Sequence, residues 1–176
     1  MTNPISAPER SNWLKKLLII SLLIALSVVL ERFLGYNDRL LSISFAYLPV
    51  ALAAMLYGPV PGAIVCAAAD FLGALLFPSG PLDLRFTLIA ALKGFIYGFF
   101  LSKPGFGRGR AISAQALVTV ICHLVLNTLL ISTIIGKGFF ALLPLRVLKN
   151  LLFFPVEVFT LIKMSQYRST FERLSK

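Results

Sequence analysis

Long apolar runs separated by short basic or turn-rich segments dominate the chain. The first runs from about Leu14 to Leu34. Trp13 and Lys15–Lys16 open it, Glu31-Arg32 closes it, and no cleavage-site pattern follows, so it reads as a retained helix. Beyond the turn-forming pair Asn37-Asp38, Leu40–Ala69 carries no charge. Tyr57-Gly-Pro-Val-Pro-Gly62 divides that run into two helices joined by a tight turn. The third span covers about Val60–Phe77 and stops at Pro78-Ser-Gly-Pro81; the fourth is Phe86–Leu101 and the fifth about Ile112–Ile135. The sixth is about Leu143–Met164, where Pro155 is expected to kink the helix by freeing a backbone carbonyl. About 20 apolar helical residues cross the roughly 30 Å hydrocarbon core of a bilayer. The pattern therefore predicts an all-α integral membrane bundle of six transmembrane helices, in one domain over residues 1–176.

Composition supports this class. The chain is 58% hydrophobic with a mean hydropathy of +0.88, beyond the range of water-soluble domains. A formal net charge of +10 would point to nucleic acid in a soluble protein. Here the cations gather in alternate loops, as in segments retained in the cytoplasm, and no nucleic-acid partner is expected. With the amino terminus inside, residues 1–16, 103–110 and 163–176 hold ten cations against two acids, and the opposite loops four against three. The bias puts both termini in the cytoplasm, with 1–12 as an N-terminal segment and 165–176 as a C-terminal tail. Cys66 and Cys122 lie in apolar runs without a CxxC pair or histidine cluster, and read as small buried hydrophobes.

Against that background the polar residues inside spans carry the information. A charge at mid-bilayer costs roughly 2.5–3.5 kcal/mol on insertion scales, so such residues face a partner or a wet cavity. Asp70, Lys93, Asn127, Arg146 and Asn150 come from four spans and all fall in their outer halves. A cavity opening outward accounts for that convergence. Arg146 and Asn150 share a helix face, and Lys149 and Glu157 lie nearby in the same span. Glu157 is deeper, in the inner half, which points to a structural or coupling role. In the fifth span Gln115, Thr119, His123 and Asn127 recur every four residues. The upper pair, His123 and Asn127, suits a ligand and the lower pair helix–helix hydrogen bonding. Ala90, Gly94 and Gly98 mark a face built for close helix packing.

No enzyme is expected. The chain has no Gly-xxxx-Gly-Lys-Ser/Thr nucleotide loop, no second histidine for a His-pair metal site and no plausible Ser-His-Asp set. Six spans without a convincing internal repeat are few for an autonomous secondary transporter. A small ligand-holding subunit fits better.

Pro49-Val-Ala-Leu-Ala-Ala-Met-Leu-Tyr-Gly-Pro-Val-Pro-Gly62 and Ala69-Asp-Phe-Leu-Gly73 resemble the second and third helices of the substrate-binding S components of energy-coupling-factor (ECF) vitamin transporters. Arg85-Phe-Thr-Leu-Ile-Ala-Ala-Leu-Lys-Gly-Phe-Ile-Tyr-Gly98 and Pro144-Leu-Arg-Val-Leu-Lys-Asn150, with Pro155 and Glu157, are similar to the folate-specific branch. The resemblance spans about Ser42 to Lys163. It implies a multi-pass protein of a bacterial cell membrane that captures folate from outside. Its partners would be an EcfT-like transmembrane coupling subunit and two cytoplasmic ATPase subunits, with the lipid bilayer around it and no cofactor beyond the transported ligand. First-helix contact with the coupling subunit often uses Ala-xxx-Ala in this superfamily; this chain has Ser21-xxx-Ala25.

Folate chemistry suits the residues. The amide-like edge of a pterin pairs with carboxylate or carboxamide groups, as Asp70, Asn127 and Asn150 supply. The dianionic glutamate tail calls for Arg146 and Lys93, with Arg32 and Arg85 near the mouth. Phe45, Tyr47 and Phe86 offer aromatic faces. A pairing of Asp70 with Lys93 is the simpler alternative for those two charges. An S component for another vitamin such as biotin, or a membrane protein with an unrecognised enzymatic role, remains the alternative for the whole. The loops around Asn37–Ser44 and Pro78–Arg85 are expected to cover the site as a lid.

Overall fold

The computed structural model describes residues 7–33, 35–37, 42–78, 83–103, 107–136, 138–168 and 170–171. Helix α1 (Ala7–Arg32) leads into a two-residue antiparallel ladder, β1 (Tyr36–Asn37) with β2 (Ser42–Ile43). Then come α2 (Tyr47–Tyr57), α3 (Pro59–Leu76) and α4 (Leu84–Leu101). The next rod is continuous over Arg108–Ile135 and has three parts: α5 (Arg108–Leu117), a π-helical segment (Val118–Leu126) and α6 (Asn127–Ile135). The last is α7 (Phe139–Gln166), unbroken through Pro144 and Pro155. The terminal residues 1–6 and 172–176, and positions 38–41 and 79–82 of the two expected lid loops, lie outside the described residues.

The helical prediction holds, with two differences. The small β1–β2 ladder joins α1 to α2, and of the six helical rods among the described residues five have the length and apolarity to cross a membrane. Helix α2 has 11 residues, about 16 Å at 1.5 Å per residue. Its ends are tied to α1. Lys16 Nζ sits 5.2 Å from the centre of the Tyr57 ring, and Ser27 Oγ donates to the Ala46 carbonyl at 2.9 Å. Lys16 and Ser27 are themselves about 16 Å apart along α1. So α2 starts roughly 8 Å short of Arg32, and Ser44–Ala46 runs inside the end of the bundle where α1 finishes.

The turn between α2 and α3 depends on Gly58. Its φ is +94°, a region L-residues rarely adopt, and its N–H closes α2 on the Ala54 carbonyl at 3.0 Å. Pro59 then starts α3 with its φ already helical. Helices α3 and α4 touch backbone to backbone. A Cβ on Gly94 would lie 2.2 Å from the Gly62 carbonyl oxygen, and one on Gly98 2.2 Å from Pro59 Cα. The core around this seam holds Ala51, Ala53, Ala54, Met55, Val65 and Leu101. The outside is equally apolar: Leu18, Leu88, Leu151 and Phe140 are 73%, 70%, 70% and 83% exposed. A surface of this kind belongs in lipid. At the foot of the bundle, Arg168 donates to the carbonyls of Leu101, Ser102 and Lys103 at 2.8–3.1 Å. These are orphan acceptors at the C-terminus of α4.

Candidate functional site

One face of α7 faces inward. Steps of four, seven and eleven residues bring Asn150, Phe153 and Glu157 back to within about 40° of Arg146. All four line one cavity of about 190 Å³, together with Lys149. The opposite wall comes from α3 and α4, with Asp70, Phe86, Lys93 and Tyr97. The long composite rod adds Cys122, His123, Asn127 and Ile131. The short α2 explains the remaining wall. Because its start is sunk below the rim, Ser44, Ala46 and Tyr47 reach the cavity, while α1 contributes Glu31 at its C-terminal end.

The π segment aligns the fifth-span stripe. In an α-helix a four-residue step overshoots a full turn by about 40°. The wider π turn rotates less per residue and cancels that drift. Gln115 and Thr119 are therefore buried beneath the cavity while His123 and Asn127 line it. Thr128, fully buried where the π segment meets α6, donates its hydroxyl to the His123 carbonyl five residues back at 3.2 Å.

The floor is a connected polar network. Tyr97, 1% exposed, donates its hydroxyl to Gln115 Oε1 at 2.7 Å. Gln115 Nε2 donates to Glu157 Oε2 and makes a longer contact to Thr119 Oγ1 at 3.4 Å. Beside it, Tyr47 Oη and Thr160 Oγ1 stand 2.6 Å apart. Gln115 thus acts as the expected helix–helix glue. Glu157, expected to be structural or coupling-related, also lines the cavity. Nearer the rim, Thr87 Oγ1 donates to Asp70 Oδ2 at 2.9 Å, the partner Asp70 takes in place of an ion pair with Lys93. Asn127 Oδ1 is buried without a hydrogen-bond partner among the described residues. A buried acceptor left so costs about 1–3 kcal/mol, and a donor on a bound molecule would recover it.

Seven of the ten residues singled out from sequence meet at this cavity: Asp70, Phe86, Lys93, His123, Asn127, Arg146 and Asn150. The other three are not brought to its wall. Arg32 lays its guanidinium over Gly73, where a Cβ would meet Nε at 3.2 Å. Phe45 is 43% exposed, in a tilted ring contact with Tyr47. Arg85 grips Asp83 through Nε (2.9 Å to each oxygen) and Nη2 (2.6 Å), on the exterior. Those bonds hold the Asp83 carboxyl below its ordinary range. Glu31, Tyr97 and Glu157 are wall residues that were not assigned to the site. For Glu157 the α7 spacing was a usable signal. For Glu31, at a helix end beside Arg32, and Tyr97, in a run of apolar residues, no sequence signal exists. Counting Glu31, three acids (Glu31, Asp70, Glu157) face three cations (Lys93, Arg146, Lys149), so the cavity is formally balanced rather than cationic.

The sequence profile of the family described as "ECF transporter, substrate-specific component" matches residues 15–166. A folate transporter FolT of Clostridium novyi (strain NT) is 32% identical over 140 residues, covering 80% of this chain and 81% of the relative. A folate transporter FolT of Leuconostoc mesenteroides subsp. mesenteroides is 29% identical over 150 residues, covering 82% of this chain and 80% of the relative. A crystal structure of FolT bound with folic acid matches with a TM-score of 0.79 at 38% identity, over 84% of this chain and 89% of that one.

Proposed function

The chain belongs to the family of substrate-specific components of ECF transporters, and we propose that it is the component that binds folate and presents it for uptake. The observation that carries this assignment is the cavity within the bundle. It combines the cations Lys93, Arg146 and Lys149, the amides Asn127 and Asn150, and the rings Phe86 and Phe153. That set suits a flat, amide-edged ring joined to a dianionic tail. Guanidinium and ammonium groups hold the carboxylates, the amides take up donors and acceptors, and the rings cover the faces of the aromatic system. FolT relatives and a folic-acid-bound FolT structure support the same choice of ligand.

In this assignment His123 and Asp70 complete the binding wall. Arg32, Phe45 and Arg85 belong to the outer rim, where they meet the ligand on entry rather than at rest. The chain works as a multi-pass membrane protein, in a bacterial cell membrane. Its six helices have both termini in the cytoplasm, oriented by the ten-to-four excess of cations on that side. The short α2, extended by Ser44–Ala46 before it, makes the second pass and hands the chain to α3 at the Gly58 turn. Uptake requires a transmembrane coupling subunit and two cytoplasmic ATPases, because this chain carries no nucleotide loop.

Purification in detergent followed by absorbance and fluorescence spectroscopy tests the assignment. The protein should carry, or bind on titration, a pterin chromophore with saturable one-to-one stoichiometry. A protein that neither carries a pterin nor binds added folate, but retains another vitamin, would refute it.

A further inference from the structure

We propose that a groove between α1 and α7, floored by α2, binds an anionic phospholipid. An acyl chain lies along its apolar length, and the phosphate meets Lys163 and Tyr167 near the foot of the bundle. Three helix faces make the groove. Leu26 and Leu30 recur at a step of four on α1, Leu48 and Leu52 on α2, and Lys163 and Tyr167 at the end of α7. The space between them is about 390 Å³, twice the 190 Å³ of the ligand cavity. It opens on the outer surface of the bundle, where Leu26 is 45% exposed.

Polarity changes along the groove. Leu48 follows Ala46, which Ser27 ties to α1, so Leu30 and Leu48 mark the end nearer Arg32. At the opposite end Arg168 holds the last carbonyls of α4, and Tyr167 precedes it directly. Thr160 also lines the groove, but its hydroxyl is engaged. Oγ1 stands 2.6 Å from Tyr47 Oη and donates to the carbonyls of Val156 and Glu157 at 3.0 and 2.8 Å. Apart from Lys163 and Tyr167, the walls therefore offer nothing but apolar surface. Tyr47 also lines the ligand cavity, so an acyl chain in the groove packs behind the Tyr47–Thr160 pair that closes the cavity on this side.

Charge identifies the occupant. Two neighbouring cations already have work within the bundle: Lys16 lies over the Tyr57 ring and Arg168 is spent on carbonyls. Among the described residues Lys163 touches the Phe159 ring, its Nζ 5.7 Å from the centre, and has no acid beside it. Tyr167 is 60% exposed, and its hydroxyl has no hydrogen-bond partner among those residues. An ammonium on a lipid-facing surface requires an anion or a path to water. A phosphodiester supplies a negative charge and acceptor oxygens, which the ammonium and the phenol hydroxyl can bind together. A phospholipid thus matches the whole gradient in one molecule, whereas an apolar partner helix would leave Lys163 facing hydrocarbon. The orientation proposed above puts the headgroup in the cytoplasmic leaflet; that leaflet rests on the orientation, and the binding contacts do not.

Native mass spectrometry of the full chain in detergent tests the site, with phosphatidylglycerol and phosphatidylcholine of identical acyl chains as probes. Wild-type protein should retain a single phosphatidylglycerol and prefer it about 5- to 10-fold over the zwitterionic lipid. Lys163→Gln should bring that preference below about 2-fold while both lipids still bind. Leu26→Trp puts a large ring into the groove and should weaken both lipids about 10-fold or more. Arg108→Gln removes an exposed cation of α5 outside the groove and should bind like wild type. Wild-type protein that does not distinguish the two lipids overturns the proposal, as does Lys163→Gln with its preference intact. An equal loss in Arg108→Gln overturns it too, because net charge alone would then explain the preference. Leu26→Trp that keeps its lipid but no longer co-purifies with a coupling subunit would give the groove to a protein partner instead. If Leu26→Trp does not fold, the wild-type and Lys163→Gln titrations still decide. None of these readouts involves folate, so their failure leaves the functional assignment standing.

Discussion

Replacing Gly94 by alanine adds one methyl group where the backbones of α3 and α4 touch. The new Cβ would lie 2.2 Å from the Gly62 carbonyl oxygen, 2.6 Å from its carbon and 2.9 Å from Ala63 Cα, where ordinary contact begins near 3.4 Å. All three obstacles are backbone, so no side chain can swing aside and α3 and α4 must separate by more than an ångström. Overpacking costs about 1–3 kcal/mol, and a rigid obstacle puts this site at the upper end. Better helix propensity of alanine over glycine returns close to 1 kcal/mol, leaving a net loss of about 2 kcal/mol. For a chain of this size that is a fall of about 4–8 °C in Tm. The protein carries its own reporters, because Cys66 and Cys122 are free and buried. A thiol-reactive fluorogenic dye in detergent should light up only as the core opens. Gly109→Ala is the control. It lies within α5 with nothing within 4 Å of the added carbon, so its melting curve should match or slightly exceed that of wild type. If Gly94→Ala melts with wild type, the backbone contact does not hold α3 against α4 and the packing argument fails.

Arg146→Ala should weaken folate binding by about 1.5–3 kcal/mol, as for loss of a charged hydrogen bond; unchanged affinity in a binding titration would leave Arg146 a structural role only. Tyr97→Phe leaves Gln115 Oε1 buried without a donor and should cost about 1–3 kcal/mol, read as an earlier transition in the same dye assay. Ser27→Ala should cost about 1 kcal/mol, because the Ala46 carbonyl loses the side-chain donor that ties the start of α2 to α1, and hydrogen exchange should show Ala46–Tyr47 opening first. In liposomes without partner subunits the isolated chain should show no ATP-dependent folate uptake, and uptake driven by a proton or sodium gradient alone would contradict the subunit assignment.

Hydropathy is additive along a chain, which is why the five long spans could be placed from the order of residues alone. The same holds for the α7 face, since a fixed rotation per residue carries Arg146, Asn150 and Glu157 to one side wherever the helix sits. Charge is additive too, and seven of the ten chosen residues do meet at one cavity because a charge or amide within a span has few places to go but inward. Depth and rotation between helices are not properties of any single segment. Every residue of the uncharged run before Gly58 suits lipid, so nothing in it reveals that α2 starts as late as Tyr47. Only the ties of Ser27 to Ala46 and Lys16 to Tyr57 set that level. Glu31 reads as a helix-end charge bound for solvent until the lean of α1 on α3 turns it inward. Arg32, its neighbour in sequence, is turned onto Gly73 by the same packing. Tyr97 looks like one more lipid-facing aromatic until the packing of α4 against α5 brings its hydroxyl to Gln115. Periodicity tells each helix which face is polar; contacts between helices decide which polar faces meet, and at what depth in the membrane.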